Sequence, residues 1–269
     1  MHHGQTRWGA VVTAAPLRLG IFTDGPRKAG GIFRDYALRL YYPLHELTWR
    51  DRWRCTPLLF GVELLVYQVD AVVESASDVD LDRVRNEDYV TLHRYKARFE
   101  ALLRRVRAYN STVAHQLDMG EQYVRLENRV TSGRLATHED VLRLAELRPS
   151  DVRLMHAMIF SRLGRPVDEG LLDLLWPIEV LADIGNDLAH YREDVSTGQF
   201  NTYSAFVTLY GRAAPVRMRA EIDRYEHMFK TRLASIPPSQ RARVEELCVR
   251  WYRSRIEHLP EPPTTATAL

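Results

Sequence analysis

Apolar residues recur at helical spacing along most of this chain, and no segment keeps the strict alternation of apolar and polar residues that is typical of a half-buried β-strand. The longest apolar stretches run over 58–73 and 171–184, and both are long enough to favour buried helices. Capping and turn signals divide the remainder into further helices, without a repeat or a linker. The pattern therefore predicts an all-α protein.

Capping residues and prolines set the limits of the individual elements. The predicted helices cover about 32–46 with an interruption at Pro43, 57–76, 88–117, 119–131, 137–149, 150–164, 168–195, 201–209, 213–233 and 238–259. Residues 48–54, T-W-R-D-R-W-R, are predicted to form a connection, and Pro57 is placed in the first turn of the helix that follows. We expect an irregular segment over 1–31, one helical domain over 32–259 and a disordered tail over 260–269.

Composition narrows the class of protein. The 269 residues are 45% hydrophobic and 27% charged, which is ordinary for a soluble globular protein. A net charge of +2 implies no broad basic field that would attract nucleic acid or a membrane, and we expect no nucleic-acid partner. Two distant cysteines need no disulfide framework and fit a reducing cytoplasm, where we expect the protein to act. No apolar run free of charge is long enough for a transmembrane segment.

The helix predicted over 168–195 carries unusual polar residues. Asn186, His190 and Asp194 are each four residues apart and share one stripe of this helix with Asp183. The preceding residues are nearly all apolar, so the helix is expected to be buried, and buried acids and amides are costly unless something satisfies them. A bound cation with a polar ligand is one arrangement that satisfies such a stripe.

A second stripe follows the apolar run over 58–73. Asp70 and Glu74 are one helical turn apart, and Glu63 and Tyr67 share their face. Two buried helices thus each carry oxygen ligands at a four-residue interval. Such oxygen-rich sites suit Mg²⁺, which commonly bridges carboxylates to substrate phosphates.

These two segments resemble the metal motifs of class I terpenoid synthases, and of bacterial terpene cyclases in particular. V-D-A-V-V-E (69–74) is similar to the aspartate-rich motif D-D-x-x-D, with Asp70 at its first acid and Glu74 at its last. N-D-L-A-H-Y-R-E-D (186–194) resembles N-D-x-x-S-x-x-x-E, with Asn186 and Asp194 at its first and last ligands and His190 at the place of the serine.

The resemblance implies a helical bundle around an apolar cavity and a terpene synthase that binds up to three Mg²⁺ ions. It would ionise an allylic prenyl diphosphate and cyclise the carbocation. Gly198 and Asn201 fall where many members have G-x-x-N. The residues that the resemblance assigns to the metal ions are Asp70, Glu74, Asn186, His190 and Asp194, and those that it assigns to the diphosphate are Arg143, Arg192, Tyr252 and Arg255.

Two other functions remain open. The segments 37–49 and 81–84 are also similar to the small prenyltransferase of the moenomycin pathway, which favours condensation of a prenyl diphosphate with a second isoprenoid or another acceptor. Ala71 and His190 stand where the family has an acid and a serine, so a non-catalytic helical binding protein with a degenerate metal site is the third hypothesis. A homodimer is one assembly that these hypotheses allow.

Overall fold

The computed structural model describes residues 20–77, 84–131 and 136–262, and the side chains of residues 26–67, 92–131 and 136–262. All regular structure in these ranges is helical, which confirms the all-α prediction. The helices are α1 (Gly20–Ile32), α2 (Tyr42–Leu44), α3 (Trp49–Ser77), α4 (Val84–Arg105), α5 (Ser111–Thr131), α6 (His138–Leu147), α7 (Ser150–Leu163), α8 (Glu169–Thr197), α9 (Thr202–Tyr210), α10 (Ala214–Leu233) and α11 (Pro238–Ile256). A π-helix (Phe33–Tyr41) precedes α2, and a 3-10 turn (Gly211–Ala213) precedes α10.

Helix α8 packs against α9, α10 and α11 and organises one side of the bundle. Asp168 caps its first turn by accepting a hydrogen bond from the Leu171 amide at 2.9 Å. Gly198 ends it with a φ of 70°, a left-handed conformation that glycine adopts without a steric penalty. In its middle, Gly185 lies so close to α11 that an added Cβ would come within 2.8 Å of the Arg255 Cβ.

Helix α7 forms the core of the other side, where it packs against α3 and α5. Its residues 154–160 are all buried. The π-helix contacts both α7 and α11, and the hydroxyl groups of its Tyr36 and Tyr41 reach acids on α8. The π-helix therefore lies between the two sides and brings polar groups into an otherwise apolar core.

The N-terminal boundary differs from the prediction. The chain is helical from Gly20, although residues up to 31 were expected to be irregular, and Pro26 lies inside this helix. Helix α1 packs on α3, so tertiary contacts stabilise a helix that its glycines and proline disfavour. Residues 1–19 lie outside the described part of the chain.

The predicted connection over 48–54 is wrong, because residues 49–54 form the first turns of α3 and Thr48 stands directly before them. The Thr48 hydroxyl accepts a hydrogen bond from the Asp51 amide at 3.3 Å and donates one to the Asp51 carboxylate at 2.8 Å. This local pairing starts the helix eight residues before Pro57, which lies inside α3 rather than in its first turn.

The boundary between α4 and α5 is also displaced, from about residue 118 to residues 106–110. Arg107 has a φ of 56°, and the Asn110 side chain accepts a hydrogen bond from the Val113 amide at 2.7 Å. A left-handed residue followed by an asparagine cap ends one helix and begins the next. The N-S pair at 110–111 is the sequence signal for this break.

The central apolar cavity stays a prediction. Two cavities of about 930 and 180 Å³ are described, and both are lined by mixed polar and apolar residues rather than by the residues of the predicted metal stripe on α8. In the expected tail, residues 260–262 carry no helix, and the Tyr203 hydroxyl donates to the Pro260 carbonyl oxygen. Every helix in the described ranges falls short of the length and hydrophobicity of a membrane span.

Candidate functional site

The predicted metal stripe lies on the C-terminal half of α8, where the helix approaches the surface. Asn186 and Asp194 are half-buried, and His190 is exposed. The Nδ1–H of His190 donates to the Asn186 carbonyl oxygen at 2.9 Å, which leaves Nε2 available as a ligand. Among the described residues, the Asn186 amide has no hydrogen-bond partner. Three possible metal ligands, from Asn186, His190 and Asp194, therefore lie along one accessible face of the helix.

Asn201 fixes the position of the last residue of this stripe. Its Nδ2 donates to Asp194 Oδ2 at 2.7 Å and to the Asp187 carbonyl oxygen at 2.8 Å. Its Oδ1 accepts from the Ser204 amide at 3.0 Å and so caps the first turn of α9. One buried amide thus holds the Asp194 carboxylate, the end of α8 and the start of α9 in a single arrangement.

The other predicted metal stripe, Asp70 and Glu74, lies on α3 near its C-terminal end, but these two side chains fall outside the described ones. Their sharing of metal ions with α8 therefore stays a prediction. Among the side chains that are described, no group of three or more His, Cys, Asp or Glu residues is arranged to hold a metal ion.

A second row of acids on α8 faces the interior of the bundle. Glu179, Asp183 and Asp187 are spaced by four residues and share one face. The Tyr41 hydroxyl donates to Glu179 Oε1 at 2.7 Å, and the Tyr36 hydroxyl donates to Asp183 Oδ1 at 3.2 Å. The π-helix therefore supplies hydrogen-bond donors to two of these three acids.

Two arginines pair with the row at its ends. Arg148 Nη1 lies 2.5 Å from Asp187 Oδ1, and the Thr202 amide donates to the other oxygen of this carboxylate at 2.8 Å. Arg153 Nη1 donates to Glu179 Oε2 at 2.8 Å. The Arg148–Asp187 pair joins the segment after α6 to α8 and, through the Thr202 amide, to the start of α9. It therefore stabilises the helix that carries the candidate ligands.

Within the described part of the chain, Asp183, in the middle of the row, has no arginine paired directly with its carboxyl group. The pKa of Asp183 is raised to about 8, mainly by burial and also by the negative charges of Asp151 and Asp187, while the Arg148 charge and the hydrogen bond from Tyr36 oppose the rise. Burial also raises the pKa of Asp151 to about 6, against the hydrogen bond from the Val152 amide and the charge of Arg148. At neutral pH the Asp183 carboxyl is therefore mostly protonated.

This raised pKa makes the stability of the protein depend on pH. A free aspartate has a pKa of about 3.9, so between about pH 4 and pH 8 the folded state binds more protons than the unfolded state, and stability falls as pH rises. We expect Asp183→Asn, which keeps an acceptor for Tyr36, to melt several degrees above the parent at pH 8. The difference should shrink towards pH 4. Thermal melts over this range measure it, with Asp223→Asn at an exposed position as the control.

A difference between Asp183→Asn and the parent that stays constant over the whole range would contradict the protonation of Asp183. So would a lower melting temperature of this variant at pH 8.

Two of the predicted diphosphate residues lie away from the stripe. Arg143 is exposed, donates to Gln122 Oε1 at 3.3 Å, and lines the 180 Å³ cavity beside Trp176. Trp176 precedes Asn186 by ten residues, which is roughly 15 Å along a helix. Arg192 is exposed and lies roughly 200° around α8 from His190. The structure brings neither guanidinium to the three candidate ligands.

The two predicted diphosphate residues of α11 have different environments. Tyr252 is buried, and its hydroxyl donates to Glu226 Oε1 at 3.2 Å, in the contact between α10 and α11. Arg255 is exposed and lies 3.6 Å from Asp35 Oδ2, with its Cβ against Gly185. Gly185 directly precedes Asn186, so Arg255 packs on α8 at the level of the stripe, about 100° around the helix from Asn186.

The sequence interpretation did not single out Glu179, Asp187, Arg148 and Arg153 as an ion-paired group. Its signal was present, because Glu179, Asp183 and Asp187 recur every four residues inside an apolar run. The arginine partners come from α7 and the segment before it, and no pattern within α8 indicates them.

Comparison of the chain with models of protein families, with curated proteins and with solved structures finds no match.

Proposed function

We propose that this protein is a Mg²⁺-dependent terpene synthase that ionises an allylic prenyl diphosphate and cyclises the resulting carbocation. The observation that carries the proposal is the accessible stripe on α8, in which the unpartnered Asn186 amide and the fixed Asp194 carboxylate lie two helical turns apart. Carboxylate and amide oxygens are ligands that Mg²⁺ accepts. The resemblance to the second metal motif of terpene cyclases supports the same assignment.

The residues present fit a magnesium site in part. Asn186 offers an oxygen without a competing partner, and Asp194 keeps one carboxylate oxygen apart from the one that Asn201 occupies. His190 presents an imidazole, which suits transition metals better than Mg²⁺. Asp70 and Glu74 would supply the remaining carboxylates. Bound Mg²⁺ would stabilise the charge that develops on a departing diphosphate.

Arg255 is the residue of this chain that would act on the diphosphate itself. Its guanidinium is exposed, its Cβ lies against Gly185, and guanidinium groups bind phosphate oxygens in a bidentate manner. Its contact with Asp35 is long, at 3.6 Å, so a stronger anion can replace it. Arg255 would therefore orient the leaving group and hold it after the carbon–oxygen bond breaks.

Product analysis tests this proposal and separates it from its alternatives. The protein is incubated with Mg²⁺ and prenyl diphosphates of three chain lengths, singly and in pairs, and products are identified by mass spectrometry. Cyclic hydrocarbons or alcohols from a single substrate support a cyclase. Products that need two substrates indicate a prenyltransferase, and no turnover with any substrate indicates a binding protein.

The binding-protein alternative has an observation in its favour. No cluster of three metal-binding side chains occurs in the described part of the protein, and Asn201 already bonds to Asp194. A degenerate site would keep the fold and the buried ion pairs while losing the ions. Mn²⁺, which accepts imidazole more readily than Mg²⁺ does, belongs in the assay as a second metal.

Ligand-dependent stability gives a further prediction. We expect Mg²⁺ together with inorganic diphosphate to raise the melting temperature, and neither alone to do so, because each completes the binding site of the other. A ligand at a hundredfold excess over its Kd stabilises the folded state by about 2.7 kcal/mol. Thermal-shift curves for Mg²⁺, diphosphate and the mixture measure the effect, with NaCl at matched ionic strength as the control. Identical curves in all conditions would contradict a functional metal–diphosphate site.

A further inference from the structure

The start of α3 exposes two tryptophans to solvent. Trp49 is 67% exposed and Trp53 is 71% exposed, whereas indole rings are usually well buried. They are four residues apart, so they lie on one face of the helix. The motif W-R-D-R-W-R thus presents a pair of large aromatic side chains that the fold does not use for packing.

Arginines surround this pair. Arg50, Arg52 and Arg54 lie on the same two turns and are exposed. The Arg50 guanidinium lies 5.5 Å from the centre of the Trp49 ring, within the range of a cation–π contact. The acid of this motif, Asp51, accepts a hydrogen bond from the Thr48 hydroxyl at 2.8 Å. The segment therefore combines exposed aromatic area with positive charge.

The end of α7 adds to this charge. Arg162 donates to the Arg54 carbonyl oxygen at 3.1 Å, so its guanidinium lies against α3, and the exposed Arg165 follows shortly after. Within the described ranges, none of these five arginines forms an ion pair with a carboxylate. We call the set the Trp–Arg face; its members are Arg50, Arg52, Arg54, Arg162, Arg165, Trp49 and Trp53.

We propose that the Trp–Arg face binds the surface of a bilayer that contains anionic phospholipids. Indole rings favour the interface between headgroups and acyl chains, where the ring is apolar and its N–H stays hydrated. Guanidinium groups bind phosphate in a bidentate manner and are attracted by the negative surface potential. The charge of the face and of the lipid headgroups is complementary, and this binding is peripheral.

The shape and charge of the molecule favour a membrane over a nucleic acid. The indole pair stands on the outside of a helix end, whereas proteins that stack single-stranded bases hold them along a positively charged groove. The net charge of +2 gives the molecule no broad positive field of the kind that favours nucleic acid. The proposal does not depend on the proposed function, because no residue of the face belongs to the candidate site.

Vesicle co-sedimentation of the full chain tests the proposal. Vesicles of phosphatidylcholine alone are compared with vesicles in which about a third of the lipid is phosphatidylglycerol, at low and high salt. We expect binding to the anionic vesicles that weakens with salt. Arg50→Gln with Arg54→Gln should lower the partition coefficient about 25-fold, at about fivefold per arginine. Trp49→Ala with Trp53→Ala should lower it about tenfold or more.

Two exposed positions elsewhere provide matched controls. Val216→Ala removes an apolar side chain that is 74% exposed on α10, and Arg250→Gln removes an exposed charge on α11. Both should bind vesicles as the parent does. All four variants change exposed side chains, and unchanged melting temperatures will verify that they fold.

Three results would overturn the proposal. One is the absence of sedimentation with anionic vesicles, and another is equal binding to both kinds of vesicle. The third is a loss of binding in the control variants as large as in the Trp–Arg variants. A gel shift with single-stranded RNA, at concentrations where vesicles do not bind, would assign the face to nucleic acid instead.

Discussion

Asn186→Ala is expected to lower kcat/KM for prenyl diphosphate turnover at least about 100-fold, which is the loss typical of removing one group that stabilises developing charge. Among the described residues, Asn186 is the candidate ligand whose side chain has no competing partner, so its amide oxygen is free to bind an ion without breaking another bond. Alanine removes that oxygen while keeping the helix, because alanine is a strong helix former.

The matched control is Val195→Ala, nine residues further along α8 and on the opposite side of the helix from Asn186, where the side chain is 51% exposed. We expect kcat/KM of this variant to stay within about twofold of the parent and both variants to melt near the parent temperature. Asn186→Asp, which keeps an oxygen ligand, should recover part of the loss. Steady-state kinetics at several Mg²⁺ concentrations decide the matter. Unchanged turnover in Asn186→Ala would remove this residue from the metal site.

Arg148→Ala is expected to destabilise the protein by about 3–5 kcal/mol, because it leaves the carboxylate of Asp187 buried without its partner. The Asp187 side chain is 1% exposed and lies 2.5 Å from the guanidinium. For a domain of this size the loss corresponds to a melting temperature roughly 10 °C lower. Arg148 stands directly before Pro149 at the end of α6, and from there its guanidinium reaches across to α8.

Arg143→Ala serves as the comparison, because Arg143 is exposed and its contacts are long: 3.3 Å to Gln122 Oε1, and 3.9 Å to both Met119 Sδ and Glu146 Oε2. Its loss should cost about 0.5 kcal/mol or less. Urea unfolding of both variants gives the two free energies. If Arg143→Ala proves the less stable variant, the pairing of Arg148 with Asp187 does not contribute as proposed. A double variant with Asp187→Ala that regains stability over Arg148→Ala would identify the uncompensated charge as the cause.

Local signals in the sequence were sufficient to place α8 closely. A cap at Asp168 and a glycine at 198 bound the predicted helix over 168–195, and the observed helix is Glu169–Thr197. The cap at Asn201 likewise opens α9 where it was predicted. These limits are predictable because each depends on a side chain or a φ angle within a few residues of the helix end.

The start of α3 and the break before α5 were not predicted, although both also carry local signals. At Thr48 the polar-aromatic composition of the following residues suggested a connection, and the capping contact with Asp51 was overlooked. At Asn110 the amphipathic pattern continues across the break, so periodicity alone conceals it. Hydrophobic periodicity identifies a helix more reliably than it identifies where one ends.

The candidate site illustrates a different limit. The sequence places Asn186 and Asp187 side by side, and helical geometry sets their side chains about 100° apart. Which of the two faces the interior depends on how α8 is rotated against its neighbours. That rotation is set by Arg148, by the Thr202 amide and by the tyrosines of the π-helix, which are distant in sequence. The residue pattern of α8 therefore identified its polar residues. It did not show which of them would face the candidate metal site and which would form buried ion pairs.

Because residue 185 is glycine, it limits which substitutions the candidate site tolerates. Since α11 rests directly on the Gly185 backbone, the volume of one methyl group decides the separation of the two helices at this level. Any larger residue there would displace Arg255 from the segment that carries Asn186, without altering either residue. The placement of Arg255 relative to Asn186 therefore depends on Gly185, a residue with no functional group. Substitution of Gly185 would change the site as surely as the loss of a ligand.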